Sequence, residues 1–280
     1  MAVDETRSAA IIAQIERLVV PEGHLACWAL GQSGFVVKGG DALFVIDPYL
    51  SDAITANGGP VRNIAAPIDA LHLLGVQHIF TTHEHQDHTD GATLSALLHA
   101  SPAAQLITSP QGSAIAVAAG IAADRITTPQ LGAVVALPYL SYTAIPAAHY
   151  PLEVDADGHA RWMGYLITCN GVTLYHAGDT ILIPEMLAAL HDNAIDLAFL
   201  PINGRDYFRE HDLDLTGNLW PREAVHFAQT LHAKVLIGMH NDLFQSNRVA
   251  PGLLFDEMDR FAPTQRTHIL QPGELYYFVR

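Results

Sequence analysis

Residues 83–88 read His83-Glu84-His85-Gln86-Asp87-His88 and place four potential metal ligands in six positions, directly behind the largely apolar stretch 78–82. Any fold adopted by this chain has to accommodate that density of donors. Alternate residues of an extended segment share a face, so His83 and His85 can converge on one ion. Once the chain turns, Asp87 and His88 can address a second ion nearby. Imidazole and carboxylate suit zinc and the harder manganese and iron ions. The competing interpretation is a solvated, His-rich loop in a chain that holds 16 histidines. Spacing argues against it, because each further ligand type at a fixed interval narrows the chance match.

The 280 residues are 50% hydrophobic and only 15% charged, so a large core is expected. A chain of this length buries about three quarters of its unfolded surface and suits one domain, 1–280. The formal charge of −15 excludes a nucleic-acid backbone or an anionic membrane as main partner, since either needs a basic face. A small anionic substrate stays open, because metal ions and a few local arginines reverse the field within one pocket. Cys27 and Cys169 lie in strand-like apolar segments and are expected to be buried and reduced. Asp4 and Glu5, with the break of the apolar stretch 11–20 by Gln14, Glu16 and Arg17, do not read as a signal peptide. No other run is long enough to span a bilayer, so a cytoplasmic protein is expected.

Ile11, Ile12, Ile15, Leu18 and Val19 recur at helical spacing and predict an amphipathic N-terminal helix. Short apolar runs at 25–30, 34–38 and 42–46 read as an antiparallel meander closed by Asp47-Pro48. Residues 51–67, rich in Gly, Pro and Asn, read as a long loop lining a pocket mouth. A strand at 76–82 delivers the hexapeptide and a helix follows from Asp90. Another helix starts at the Ser109 N-cap with Pro110 and stops at Gly120. The second half predicts strands at 141–147, 164–169, 172–176, 197–201 and 234–239. It predicts helices near 184–191, 221–232 and 251–261. A final strand pair, 267–270 and 274–279, is expected around Pro272-Gly273. Strands followed by helices in both halves predict an α+β chain with two facing sheets and helices outside, a sandwich of four layers.

One loop cannot furnish a dinuclear site, and three further candidates stand just beyond predicted strands: His149, Asp179 and His240. Rigid backbone at a strand exit can hold a ligand while loops give access. Each alone is open to a plainer interpretation as a hydrogen-bonded histidine or an ordinary turn. Together with the hexapeptide they complete a two-metal inventory. His83, His85 and His149 form one set, Asp87, His88 and His240 the other, and Asp179 bridges. His176 lies close enough to Asp179 to orient a ligand from behind. Nine further histidines, among them His24, His78 and His232, read as structural.

These residues resemble the metallo-β-lactamase superfamily, through His83-x-His85-x-Asp87-His88 followed in order by His149, Asp179 and His240. The resemblance implies an αββα sandwich with a dinuclear site at one edge of the sheets. A closer likeness is to the L-ascorbate-6-phosphate lactonase-like branch, through Trp28-Ala29-Leu30-Gly31-Gln32-Ser33-Gly34, Leu174-Tyr175-His176-Ala177-Gly178-Asp179-Thr180 and the segment from Ala233 to Asp242. Asp242 joins His176 there as an outer residue behind the ligands. Other branches lack support. Asp179 stands where secreted β-lactamases carry cysteine, there is no room for a flavin domain, and no basic RNA-binding addition is present. Only 40 residues follow His240, too few for the C-terminal helical domain of the glyoxalase II type.

The chemistry implied uses two divalent ions, zinc first, manganese second and iron third. A bridging water whose pKa falls from ~15.7 toward ~7 gives hydroxide at neutral pH. Asp87 orients that nucleophile and passes a proton to the leaving group. No Gly-x-Ser-x-Gly elbow offers a serine alternative. Arg205 and Asn203 are the candidates for binding an anionic group, with Arg209 and Arg248 weaker. For each arginine a solvated surface pair is the plainer alternative. Thr216-Gly217-Asn218 is a possible pocket edge, and Trp162 and Tyr207 are possible walls or core. The expected function is a metal-dependent hydrolase of a small ester or lactone, in particular a phosphorylated sugar lactone. The alternatives are a phosphodiesterase with the same ions, an iron-dependent redox or oxygen-handling protein, and a metal-binding module without turnover. The expected partner is a small molecule, with self-association left open.

Overall fold

The computed structural model describes residues 3–280, which build two seven-stranded sheets. The first opens with the expected meander β1 (His24–Gly31), β2 (Gly34–Gly39) and β3 (Ala42–Ile46). It continues in parallel through β4 (His78–Phe80), β5 (Gln105–Ile107) and β6 (Ile126–Thr127). The second runs antiparallel through β7 (Val134–Leu137), β8 (Leu140–Pro146), β9 (Met163–Cys169) and β10 (Val172–His176). It then turns parallel through β11 (Leu197–Pro201), β12 (Val235–Met239) and β13 (Arg266–Ile269). β14 (Leu275–Val279) returns to the first sheet and pairs antiparallel with β1.

Eight α-helices lie among the described residues: α1 (Glu5–Arg17), α2 (Ala53–Ala56), α3 (Gly91–Ala100), α4 (Pro110–Ala118), α5 (Pro184–Leu190), α6 (Tyr207–Asp212), α7 (Pro221–Thr230) and α8 (Gly252–Phe261). Three apolar clusters separate the layers. Phe35, Phe44, Phe80, Tyr142, Tyr165 and Phe199 dominate the one between the sheets. Ile15 of α1 and Leu94 and Leu97 of α3 pack with Trp28 and Val45 on the outer face of the first sheet. Met186 of α5, Phe227 of α7 and Leu254 of α8 cover the outer face of the second. The result is the expected α+β sandwich of four layers, because each sheet has two apolar faces and the helices supply the outer partners. Cys27 and Cys169 are both free and buried, as expected.

Several elements depart from expectation. The predicted 76–82 strand forms ladder pairs only at His78–Phe80, and Thr81 and Thr82 pass on toward the site. β5, β6 and β7 have no counterpart in the sequence reading. The first two are three and two residues long, too short for a period to register. The last two strands do not pair with each other: β13 joins β12 and β14 joins β1. Pro272-Gly273 marks the turn correctly, but a turn signal does not reveal that the chain changes sheets there.

Candidate metal centre

Five strand ends meet at one edge of the sandwich, and each delivers a polar residue. Beyond β4 come Thr82 and His83, beyond β8 His149, beyond β10 Asp179, beyond β12 His240, and beyond β3 Asp47. The β10 exit shows how close the two sheets come. Gly178 has a φ of 63°, and a Cβ there would lie 2.8 Å from the Cβ of Thr82. Only glycine permits both the left-handed turn and that approach, which sets Asp179 against the His83–His88 loop.

The seven predicted ligands come together. Ligand-type atoms of His83, His85, His149 and Asp179 all lie within 4.8 Å of one another, and so do those of Asp87, His88 and His240. Asp179 joins the two groups. Its Oδ1 is 3.2 Å from His88 Nε2, and its Oδ2 is 3.0 Å from His240 Nε2 and 3.9 Å from His149 Nε2. Asp87 Oδ2 lies 3.4 Å from His240 Nε2 and 3.8 Å from His88 Nε2.

Burial and charge prepare these groups unequally. Burial, reinforced by His88 and His85, holds His83 well below the usual histidine range. Burial likewise brings His149 down to about 4. Burial would also lower His240, but the Asp179 and Asp87 carboxylates overcome it and hold the ring at about 9. His88 is raised in the same way, against burial, by Asp179, Asp47 and Asp87. Burial opposes ionisation of Asp179, yet His240 and His88 keep its carboxyl well below the ordinary carboxylate range. Asp87 is also lowered, with His88 the strongest influence against burial.

These residues fit a metal ion on direct grounds. The Nε2 atoms of His83 and His149 are buried without a hydrogen-bond partner, and His88 Nε2 and Asp179 Oδ1 have only each other at 3.2 Å, outside hydrogen-bond geometry. Buried polar atoms are normally paired, and a cluster of lone pairs converging on one space is what a cation satisfies. The rings are held from behind so that those atoms face inward. His88 Nδ1 is 2.8 Å from Asp47 Oδ2, His83 Nδ1 is 3.0 Å from Thr82 Oγ1, and His149 Nδ1 is 3.3 Å from the Gly217 carbonyl. Such partners fix tautomer and ring orientation.

Two contributors escaped the sequence reading. Asp47 sits at a strand exit, the criterion used for the other ligands, yet Asp47-Pro48 reads as an ordinary stop. Besides His88, its carboxylate accepts from the Thr82 N–H and Oγ1, each at 2.8 Å. Gln32 lies in the β1–β2 turn, and its Nε2 donates to Asp87 Oδ2 at 2.7 Å. Only its place within the Trp28–Gly34 segment hinted at it.

His176 and Asp242 stand behind the centre, where each meets backbone groups and not the side chain of a ligand. His176 Nε2 is 2.8 Å from the Ser33 carbonyl, and its Nδ1 accepts from the Gly178 N–H, fixing the turn that carries Asp179. Asp242 Oδ1 accepts from the Gln32 N–H at 2.9 Å.

The substrate candidates are placed differently from expectation. A cavity of about 280 Å³ opens over the centre, with His85, Asp87, Asp179 and His240 in its lining. Ile54, Pro60, Leu215 and Phe244 supply apolar walls, and Asp214, Thr216, Ser246 and Asn247 the remaining polar ones. Neither Arg205 nor Asn203 lines it. The Arg205 guanidinium makes a two-pronged pair with Glu223, both contacts at 2.7 Å, and also donates to the Asn218 carbonyl. Its charge is therefore answered within the protein. Asn203 is fully buried, donating to Asn247 Oδ1 and accepting from Asn218, so it braces a cavity residue from outside. Arg209 is tied to Asp206 and to the Asn203 carbonyl, and Arg248 is exposed beside Gln245. Of the possible walls, Trp162 is buried and meets His149 edge-on at 5.7 Å, whereas Tyr207 is 73% exposed. Thr216 lines the cavity and Gly217 holds His149.

Comparison with known proteins agrees with this picture. Residues 43–241 match the family described as the Beta-lactamase superfamily domain. A UPF0173 metal-dependent hydrolase of Alkaliphilus metalliredigens is 31% identical over 255 residues, covering 89% of this chain and 98% of the relative. Among solved structures, Igni18, a metallo hydrolase from the archaeon Ignicoccus hospitalis, superposes with a TM-score of 0.69 at 21% identity, covering 91% of this chain and 98% of its own. An isothiocyanate hydrolase from Delia radicum gut bacteria superposes at 0.72 with 18% identity, covering 91% and 100%. These two likenesses concern the fold.

Proposed function

The chain belongs to the beta-lactamase superfamily and is one of its metal-dependent hydrolases, and from that premise we propose that it hydrolyses a small, uncharged ester or lactone with two divalent cations. His83, His85, His149 and Asp179 would hold one cation, and Asp87, His88 and His240 the other, with Asp179 shared. Zinc suits the three-imidazole position best, with manganese or iron alternatives. Cations held there supply Lewis acidity, polarising an electrophilic carbonyl and making hydroxide accessible at neutral pH.

The chain's own residues do the positioning. Asp87 lines the cavity, and its named contacts with Gln32, His240 and His88 all use Oδ2. Oδ1 is thereby left to accept a proton from the attacking water and hand it to the leaving group. Ile54, Leu215 and Phe244 bind the apolar part of the substrate and exclude bulk water, which strengthens the polar contacts beneath.

The observation that carries the choice of an uncharged substrate is the lining itself. No Lys or Arg is among the lining residues, while Asp214 adds a carboxylate at the mouth. A phosphate would find no counter-charge from the protein beyond the metal centre. The volume also favours a small molecule, since it lies just below the usual range of ligand pockets, about 300–1,000 Å³.

The test is a substrate panel on protein loaded with zinc or manganese. Neutral lactones and aryl esters, a phosphorylated lactone, a bis-aryl phosphodiester and an alkyl isothiocyanate are compared by kcat/KM. The isothiocyanate belongs there as a further neutral electrophile, the substrate of a protein sharing this fold. Neutral esters or lactones should exceed the phosphorylated lactone and the phosphodiester by an order of magnitude or more. A preference for either charged substrate, or turnover undiminished by chelation, would refute the proposal.

A further inference from the structure

Asn247 lines the cavity over the metal centre and closes the short turn after Phe244, its N–H donating to the Phe244 carbonyl at 3.0 Å. The segment before it is pinned to the loop that carries Ile54 and Pro60. Asn63 gives its backbone N–H to the Leu243 carbonyl at 2.7 Å and its side-chain amide to the Asp242 carbonyl at 3.1 Å. Arg62 forms an isolated bridge with Phe244. Asn247 is therefore a held residue in a wall otherwise built of loops.

Its carboxamide is held in one orientation. Oδ1 accepts from Asn203 Nδ2 at 2.8 Å and from Arg209 Nη1 at 3.4 Å. Two amides facing each other could both be turned end for end, but a guanidinium has donors only. Arg209 is itself fixed, with Nη1 on the Asn203 carbonyl at 2.8 Å and Nε on the Asp206 carboxylate. The oxygen of Asn247 therefore faces Arg209, and Asn203 has to donate to it. Asn203 Oδ1 is then left to accept from Asn218 Nδ2 at 3.1 Å. Asn203, Asn218 and Arg209 are all buried, so that side of Asn247 is protein interior. Nδ2 leaves the amide carbon in the opposite sense. It has no protein partner among the described residues and is not buried, so its two N–H donors face the cavity.

The other polar side chains of the lining outside the metal centre are less committed. The hydroxyls of Thr216 and Ser246 can donate or accept, and the Asp214 carboxylate accepts. Asn247 offers donors that cannot be exchanged for an acceptor. Resting on the ester or lactone reading above, we propose that Asn247 selects the non-reacting part of the substrate, donating from Nδ2 to an uncharged ether, hydroxyl or carbonyl oxygen there. The reacting carbonyl lies at the cations, so the preferred substrate carries one further oxygen acceptor away from the scissile group. A hydrocarbon chain in that place would displace water from Nδ2 without replacing its hydrogen bond, which costs binding. An anionic acceptor would have to share the lining with the Asp214 carboxylate, which favours a neutral one.

The experiment measures kcat/KM of the full chain, loaded with zinc or manganese, on three isosteric esters. These are nitrophenyl pentanoate and its ethoxyacetate and methoxypropanoate counterparts, in each of which one oxygen replaces a methylene. The quantity read is the ether-to-pentanoate ratio, compared between native chain and variant so that intrinsic reactivity cancels. Asn247→Leu keeps the size but removes the donors, and should lower that ratio by about 3–10-fold for at least one ether. Asn247→Asp keeps an oxygen for Asn203 and Arg209 and offers the cavity no donor, so it should lose the ratio as well. Ratios unchanged in Asn247→Leu for both ethers would overturn the proposal. So would Asn247→Asp retaining the native ratio, which would assign the selection to shape alone. Should Asn247→Leu fail to fold, Asn247→Asp decides alone, by ratio kept or lost. A native chain that hydrolyses none of the three esters would remove the ester reading and Asn247's part with it, an outcome distinct from unchanged ratios.

Discussion

Asp179 and Asp214 both line the cavity over the metal centre, from walls of different construction. Asp179 follows β10 directly. It is buried, touches His88 and His240, and is preceded by a glycine pressed against Thr82. Asp214 lies between α6 and α7, exposed, in a stretch whose neighbours Tyr207, Phe208 and Leu213 are exposed as well. One wall is set by strand ends, hydrogen bonds and burial from both sheets. The rest of the lining comes from loops and the short helix α2, which carry apolar side chains. Reaction chemistry needs donors held to within a fraction of an ångström, which rigid elements supply. Recognition tolerates variation, so loops can alter the substrate without disturbing the donors.

The largest effect should come from cutting the rigid wall at its shared carboxylate. Asp179→Ala takes a donor from both groups at once and leaves His88 and His240 without their strongest common partner. Hydrolysis should fall to background and both ions should be lost in metal analysis, with the far-UV CD spectrum of the native chain retained. If the variant keeps its metal and its activity, Asp179 is not the link between the two groups.

A smaller loss is expected one step behind the donors. Asp47 holds His88 through Nδ1 and ties the exits of β3 and β4 together through Thr82. Asp47→Asn keeps the shape but removes the charge that favours the His88 tautomer with Nε2 facing the centre. Metal affinity should drop by about 10–100-fold, read by competition with a chromophoric chelator, while the other ion is held as before. Unaltered affinity would mean that packing alone orients His88.

The same contrast explains what could be read before the fold was known. His83, His85, Asp87 and His88 are adjacent in the chain, and His149, Asp179 and His240 share one recognisable setting, the end of an apolar strand. Their gathering required only that the two sheets share an edge. Gln32 and Asp47 were hidden because a turn glutamine and an Asp-Pro stop are ordinary features whose meaning comes from residues 55 and 41 positions away. The loop wall offered still less. Whether Arg205 faces a substrate or an internal carboxylate depends on where Glu223 lands at the start of α7, and no local pattern encodes that.

Arg205 therefore provides the weakest and most discriminating perturbation. Its pair with Glu223 is partly exposed, and Glu223 also accepts from the Trp220 N–H at the head of α7. Removing such a pair costs about 0.5–1 kcal/mol, a fall of roughly 2 °C in Tm for a chain of this size. Arg205→Ala should show that modest fall in thermal unfolding, and no change in KM for neutral or phosphorylated substrates. A KM raised selectively for the phosphorylated lactone would mean that Arg205 leaves Glu223 to meet an anion. The loop wall would then have to rearrange on binding, and the cavity would carry a positive charge in the working enzyme.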